Sequence, residues 1–193
     1  MLKNYGYFLF HITNKINEFF EKQKAYICCK EGCSLCCENG EYPWSKIEYL
    51  YLMEGFNKLD EDKKKLIISE IIKLKKEKEN FKGKRFTHKC PFLINKSCSV
   101  YEHRGIICRS FGLLSKNNKN GHVKVPFCYD LGLNYANVYD KDKHILSNEK
   151  YKELGIENPP TCFNIDYDFL TDEAFAKGYG FDFGEKKPLL DWF

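Results

Sequence analysis

The chain has 193 residues, ten cysteines and a net charge of +4, and 43% of its residues are hydrophobic. A chain of this length and apolar content can form one compact domain around its own core, which excludes a largely disordered protein. The small net charge gives no support to a nucleic-acid partner. Ten cysteines are unusual for a domain of this size, so their spacing is the main guide to function.

The beginning of the sequence has no pattern typical of a secretory signal, because the apolar run over residues 7–10 ends at His11. No apolar stretch approaches the length of a membrane span. We therefore expect a cytoplasmic protein with no membrane partner. Thiols stay reduced in the cytoplasm, so clustered cysteines favour metal ligands there, with disulfides as the alternative.

Two helices are predicted in the first third of the chain. Apolar residues recur every three or four positions over residues 5–24, which predicts an amphipathic helix. Ser45 followed three residues later by Glu48 is typical of a capping box at a helix start. That second helix should run to about Glu54 and stop at Gly55, since glycine commonly ends helices.

After the second helix, the sequence predicts a third helix, an irregular region and an acidic region in turn. Acidic residues at positions 60–62 favour the start of a third helix, which should extend to about Phe81. Residues 90–128 lack long periodic patterns, apart from a helical turn or two around residues 100–107. Residues 129–193 hold 13 acidic and seven basic residues, and we expect them to form an ordered acidic extension.

Eight cysteines are candidate metal ligands: Cys29, Cys33, Cys36, Cys37, Cys90, Cys98, Cys108 and Cys128. A tight turn between Cys33 and Cys36 can bring two sulfurs about 3.7 Å apart, as a tetrahedral thiolate site requires. Zinc knuckles, iron–sulfur proteins and redox dithiols share this spacing, so the spacing alone leaves the metal open.

The adjacent pair Cys36 and Cys37 bears on the number of metal ions. Neighbouring side chains in an extended segment point to opposite sides, so both rarely serve one ion. Eight cysteines would fill two four-sulfur sites, and fewer would hold one polynuclear site. The sequence therefore predicts two metal ions or one cluster.

Basic residues accompany the second group of cysteines. Residues 90–128 hold six basic residues and one acidic residue, which suits the net negative charge of a metal bound by four thiolates. Arg104 and Arg109 lie within four residues of Cys108 and could donate hydrogen bonds to the ligand sulfurs. Ordinary surface ion pairs are the alternative for both arginines.

Three motifs follow one another in the sequence: Cys29-x3-Cys33-x2-Cys36-Cys37, Cys90-Pro91-Phe92-Leu93, and Cys98-Ser99-Val100-Tyr101-Glu102-x-Arg104-x3-Cys108-Arg109-Ser110-Phe111. Together they resemble the bacterial YkgJ-type cysteine-cluster family, described as a zinc- or iron-chelating domain. The resemblance covers about residues 29–112, and Cys128 is similar to a trailing cysteine of many members. It implies metal binding. Gly105 stands where the family usually has proline, which predicts a freer turn before Cys108.

Other candidate ligands have simpler interpretations. Cys28 and Cys162 lie outside the family pattern and are expected to be buried as small apolar residues. His88 and His103 are close to cysteines in the sequence, but eight sulfurs already suffice for the ligands.

The sequence thus predicts a single domain over residues 1–193. Its fold class is mainly α with irregular segments, in which helices flank a metal-organised, cysteine-rich core over residues 25–128. The acidic extension of residues 129–193 is expected to pack on that core.

The leading functional hypothesis is a metal-binding protein that holds zinc or iron, the iron either as ions or as a 4Fe–4S cluster. The alternative is an iron–sulfur-dependent redox or protein-modifying enzyme, since related cysteine clusters occur in flagellin lysine methylases. A nucleic-acid-binding module of zinc-ribbon type is the least favoured hypothesis. The sequence indicates no particular protein partner.

Overall fold

The computed structural model describes residues 1–116, 121–157, 162 and 164–193. Helix α1 spans Leu2–Gln23 and is followed by a 3-10 turn at Lys24–Tyr26. Its buried apolar face consists of Tyr5, Phe8, Leu9 and Ile16. The amphipathic helix predicted from the three- and four-residue spacing is confirmed.

The next elements are α2 (Leu35–Glu38), β1 (Pro43–Ser45) and α3 (Lys46–Asn57). The predicted capping box is present at the start of α3: Ser45 Oγ accepts from Glu48 N, and a Glu48 carboxylate oxygen accepts from Ser45 N. The predicted stop at Gly55 is wrong, because the helix continues to Asn57. A side chain at Gly55 would lie 2.6 Å from the ring of His103, so the glycine serves close packing there.

Helix α4 spans Glu61–Asn80 and is capped by Asp60, whose carboxylate accepts from Lys63 N at 2.8 Å. The third predicted helix is therefore confirmed. Near its end, Lys78 pairs with Glu41 at 2.9 Å and with Asp191 at 2.8 Å. The ion pairs join the basic helix to one acidic residue just before β1 and to another near residue 193.

Short elements occupy the middle of the chain: β2 (Leu93–Ile94), β3 (Ser97–Cys98), a 3-10 turn (Tyr101–His103), α5 (Ile106–Ser110), β4 (Ser115–Lys116), β5 (Val123–Lys124) and a 3-10 turn (Phe127–Leu131). Strands β2 and β3 pair as an antiparallel hairpin, as do β4 and β5. The irregular character predicted for residues 90–128 is confirmed over 90–116 and 121–128, including the helical turns around residues 100–107, while residues 117–120 lie outside the described residues.

The last third contains β6 (Tyr139–Asp140), β7 (Ile145–Leu146), α6 (Asn148–Glu153), α7 (Tyr167–Leu170), α8 (Glu173–Tyr179), β8 (Lys186–Pro188) and a 3-10 turn (Leu189–Trp192). Strand β8 pairs antiparallel with β1, with Ser45 opposite Lys186. Trp192 stacks on Tyr49 at 5.2 Å and donates to the carbonyl of Trp44. The C-terminal residues thus form part of the same packed unit as α3.

The core is made of three clusters of buried side chains. In the first, α1 packs against Phe181 and Phe183. The second, which we call the α3–α4 cluster, contains Trp44, Leu52, Ile67, Ile71, Leu74, Phe92, Val100, Leu189 and Leu190. The third surrounds Leu114 and Tyr135. Helices make up about half of the described residues, so the mainly α class is confirmed.

Within the described ranges, no helix combines the length and the apolar character needed to cross a bilayer.

Candidate metal centre

One cavity of about 700 Å³ gathers most of the cysteines. Its lining includes Cys28, Cys29, Cys33, Cys36, Cys37, Cys90, Cys98, Cys108 and Cys128. These residues come from segments up to 100 positions apart in the sequence. The fold therefore brings all eight candidate ligands, and Cys28 in addition, to the wall of a single cavity.

The first group lies on the segment between α1 and β1. Cys33 N donates to Lys30 O at 3.0 Å in a turn that contains Gly32 at φ +81°. Cys37 N donates to Ser34 O at 2.8 Å in the short helix α2. Cys29 and Cys33 are exposed, so this group forms the solvent-facing side of the cavity.

The adjacent cysteines do not point to opposite sides, as an extended segment would require. Cys36 and Cys37 lie within one helical turn, and their sulfurs are 4.0 Å apart, close to the ~3.7 Å edge of a tetrahedral thiolate site. A hydrogen bond between the Cys36 and Cys37 thiols lowers the pKa of Cys36 to about 7. The same hydrogen bond raises the pKa of Cys37. Both sulfurs can therefore serve one ion or bridge between two.

Cys90, Cys98 and Cys108 form the inner group. All three pack against the α3–α4 cluster. Cys90 N donates to Cys37 O at 2.6 Å and so ties this group to the first. Burial raises the pKa of the Cys90 thiol to about 12. Burial also raises the pKa of Cys108, and the neighbouring thiols of Cys90 and Cys98 raise it further.

Cys128 completes the first group from a distant part of the chain. It is buried in the 3-10 turn Phe127–Leu131, which is followed by Gly132 at φ +73°. Burial raises its pKa to about 11, with further contributions from the thiols of Cys29 and Cys33. The eight thiols thus fall into two neighbourhoods, an outer one with Cys128 and an inner one with Cys108, and the Cys36–Cys37 pair lies between them.

The two arginines of the second motif differ in their contacts. Arg104 stacks on the ring of Tyr101 at 3.6 Å, and its positive charge lowers the pKa of Cys36 and Cys108. Its Nε is buried and has no hydrogen-bond partner among the described residues. Arg109 donates to the carbonyls of Arg104 and Glu102, at 3.0 and 2.6 Å. Arg109 therefore holds the backbone of this loop, while Arg104 lines the cavity and keeps one buried N–H donor without a partner among the described residues.

Among residues 1–116, 121–157, 162 and 164–193, no group of three or more His, Cys, Asp or Glu side chains is close enough to enclose an ion. The sulfurs line a wall and would have to move together on binding. The chemistry of the donor set nevertheless fits zinc and iron, because thiolates are preferred ligands of zinc and of iron–sulfur clusters.

The cysteines outside the family pattern behave differently from each other. Cys28 was expected to be buried, but it is exposed and lines the cavity, because it lies directly beside Cys29 in a segment that faces solvent. Cys162 does not line the cavity and packs at the edge of the third cluster. His88 lines the cavity, whereas His103 packs on Tyr51.

Two buried polar residues support the site through contacts that the sequence analysis did not predict. Glu48 Oε1 accepts from Ile106 N at 2.8 Å, so the capping residue of α3 also holds the start of α5, which carries Cys108. Asn134 donates to the Cys29 sulfur at 3.3 Å. Neither residue belongs to a recognisable motif with the cysteine it supports, so no sequence signal marks these roles.

Gly105 has a packing role at the same place. A Cβ on it would lie 2.8 Å from Glu48 Oε1 and 2.9 Å from the ring of Trp44. Its φ of −71° is accessible to any residue, so the need for glycine comes from this close approach and not from backbone freedom.

The fold and the cavity define a mainly helical protein with a cysteine-lined site suited to metal ions. A family model described as "CxxCxxCC: Putative zinc- or iron-chelating domain" matches residues 28–129, just over half of the chain. The chain belongs to this family, which confirms the resemblance inferred from the three cysteine motifs and supports metal binding.

Comparisons with curated proteins and with solved structures gave no significant match.

Proposed function

We propose that the protein binds zinc or iron through Cys29, Cys33, Cys36, Cys37, Cys90, Cys98, Cys108 and Cys128, in a structural or metal-handling role. The observation that carries this proposal is the arrangement of all eight cysteines around one cavity, although they come from distant parts of the chain. Family membership supports it independently. Four thiolates per ion would give two ions, and a cluster-type site would use the same sulfurs.

The two neighbourhoods of thiols favour unequal roles for the bound metal. The inner cysteines pack in the α3–α4 cluster, so metal held there would be shielded from solvent and would stabilise the fold. Cys29 and Cys33 are exposed, so metal in the outer neighbourhood would exchange more readily with ligands in solution. Arg104 would offset the negative charge of the Cys36 and Cys108 thiolates.

Anaerobic purification followed by elemental analysis and a visible spectrum tests this proposal. Bound zinc would leave the protein colourless, whereas an iron–sulfur cluster would make it brown. We expect Cys108→Ser to lose metal, because it removes an inner ligand. Cys162→Ser is the matched control and should keep the wild-type content, since Cys162 lies outside the cavity. A wild-type protein that takes up neither metal, or equal losses in the two variants, would contradict the proposal.

One observation favours the enzymatic alternative. A cavity of about 700 Å³ has room for a small molecule or a side chain beside the metal, and volumes of this size are typical of ligand pockets. An iron–sulfur cluster would supply electron transfer, and the exposed outer side would admit the substrate. A colourless, fully zinc-loaded protein would exclude this alternative.

Metal binding should release protons. The pKa values of Cys90 and Cys128 are raised to about 12 and about 11, so both thiols are protonated at neutral pH when they hold no metal. Metals bind the thiolate, so each ion must displace protons, and its affinity should rise about tenfold per pH unit for each proton released.

Zinc titration calorimetry in two buffers of different ionisation enthalpy measures this release. We expect the observed heat to depend on the buffer and the affinity to rise between about pH 6 and pH 8. A buffer-independent heat together with a flat pH dependence would show that thiols are not the ligands.

A further inference from the structure

A buried amide lies against the outer side of the cysteine cavity. Asn134 is 1% exposed. Its Nδ2 donates to Cys29 Sγ at 3.3 Å and to Gly112 O at 3.1 Å, and its Oδ1 accepts from Cys28 N at 2.7 Å. An amide has two N–H groups and one oxygen, so both donors and the oxygen are in use.

These hydrogen bonds join three separate segments beside the cavity. Asn134 connects the Cys28–Cys29 segment to Gly112, which follows α5. Its own backbone is fixed on both sides, because Leu133 N donates to Cys128 O at 3.1 Å and Tyr135 N donates to Tyr26 O at 2.9 Å. The amide is therefore held rigidly, and the same short segment presents Cys128 to the cavity.

The Cys29 sulfur is confined from the other side as well. Gly112 has φ +107°, and a Cβ on it would lie 2.8 Å from Cys29 Sγ. Only glycine allows the backbone to approach the sulfur this closely. Although Cys29 is an exposed residue, its sulfur is thus placed between a backbone segment and a donated N–H.

We infer that Asn134 is a positioning residue for the outer part of the metal centre, which holds the Cys29 sulfur towards the cavity and stabilises its thiolate through the N–H···S hydrogen bond. This inference rests on the proposed metal binding. Donors that bond to a ligand atom orient it and adjust its donation to the metal. Asn134 lies beyond the region that the family model matches, so the C-terminal extension supplies this contact.

Asn134→Asp is the sharpest test, because aspartate keeps the shape and the oxygen that accepts from Cys28 N but replaces the donating NH2 group. We expect the zinc bound through Cys29 to weaken 10- to 100-fold, as losses of such supporting hydrogen bonds typically do. A titration against a chromophoric chelator measures this. In the cobalt(II) protein, the ultraviolet thiolate-to-metal band should also shift.

Tyr135→Phe is the matched control. It removes a buried hydroxyl from the same segment and leaves the thiols untouched. That hydroxyl donates to Gln23 Oε1 and accepts from Leu114 N. The zinc affinity and cobalt spectrum of Tyr135→Phe should match those of the wild type. In a Cys29→Ala background, which lacks the accepting sulfur, Asn134→Asp should weaken zinc binding far less than it does in the wild type, because the N–H···S contact is already lost.

The outcomes separate this inference from the proposed function. A wild-type protein that binds no zinc or cobalt would overturn both. If the wild type binds metal, then unchanged affinity in Asn134→Asp, equal weakening in Tyr135→Phe, or a full effect in the Cys29→Ala background would each overturn the role of Asn134 alone.

Discussion

Removal of metal by a strong chelator should unfold the walls of the cysteine cavity while the core around α1 stays folded. Binding of a structural zinc by thiolates contributes about 10–16 kcal/mol, comparable to the whole stability of an ordinary domain. The segment over residues 28–42 has little regular structure of its own, with α2 as a single turn. The order of this segment should therefore depend on the metal more strongly than the order of the long helices does.

Hydrogen exchange measured by mass spectrometry, with and without chelator, would show this directly. Protection should be lost over residues 28–37 and 90–112 and kept in α1 and α8, which pack together in the first cluster. Cys162→Ser should respond as the wild type does. If chelation leaves the exchange of both cysteine segments unchanged, the metal does not organise this part of the fold.

Glu48→Ala should be the most destabilising substitution away from the cysteines. The Glu48 carboxylate is fully buried and accepts hydrogen bonds from Ser45 N, Ser45 Oγ, Ile106 N and the Tyr167 hydroxyl. Alanine would leave these donors buried without partners, at about 1–3 kcal/mol for each one that water cannot reach. We expect the free energy of unfolding to fall by at least about 3 kcal/mol.

Asp60→Ala is the natural comparison, because Asp60 also caps a helix but does so at the surface. Its carboxylate caps the helix by accepting from Lys63 N at 2.8 Å, and its loss should cost about 1 kcal/mol. Chemical denaturation of the two variants measures the difference. Equal costs would mean that water accepts from the donors around position 48 in place of the carboxylate, and that this residue does not link α3 to α5.

Local signals in the sequence predicted the long helices well. The apolar spacing of α1 and the capping box at Ser45 depend only on neighbours within a few residues, and both are confirmed. The end of α3 was predicted wrongly, because Gly55 is required by the ring of His103, a contact that spacing along the helix cannot reveal.

The candidate site was also predicted only in part from the sequence. The cysteine motifs identified the family, because their order and spacing are visible in the chain itself. The geometry of Cys36 and Cys37 depends on whether residues 35–38 are helical or extended, and such a short turn has no periodicity to read. The contacts of Asn134 and Glu48 join residues 105 and 58 positions apart, so only the folded chain reveals them.

The pairing of Ser45 with Lys186 also has a consequence for biosynthesis. A ribosome adds residues in order, at about 5–20 per second, so β8 is synthesised on the order of ten seconds after its partner strand β1. During that time the early thiols are already outside the ribosome, in an unfinished enclosure that any oxidant or competing ion can reach. If the protein binds metal as proposed, loading is expected to follow synthesis of β8, and its yield should depend on how reducing the surroundings are during translation.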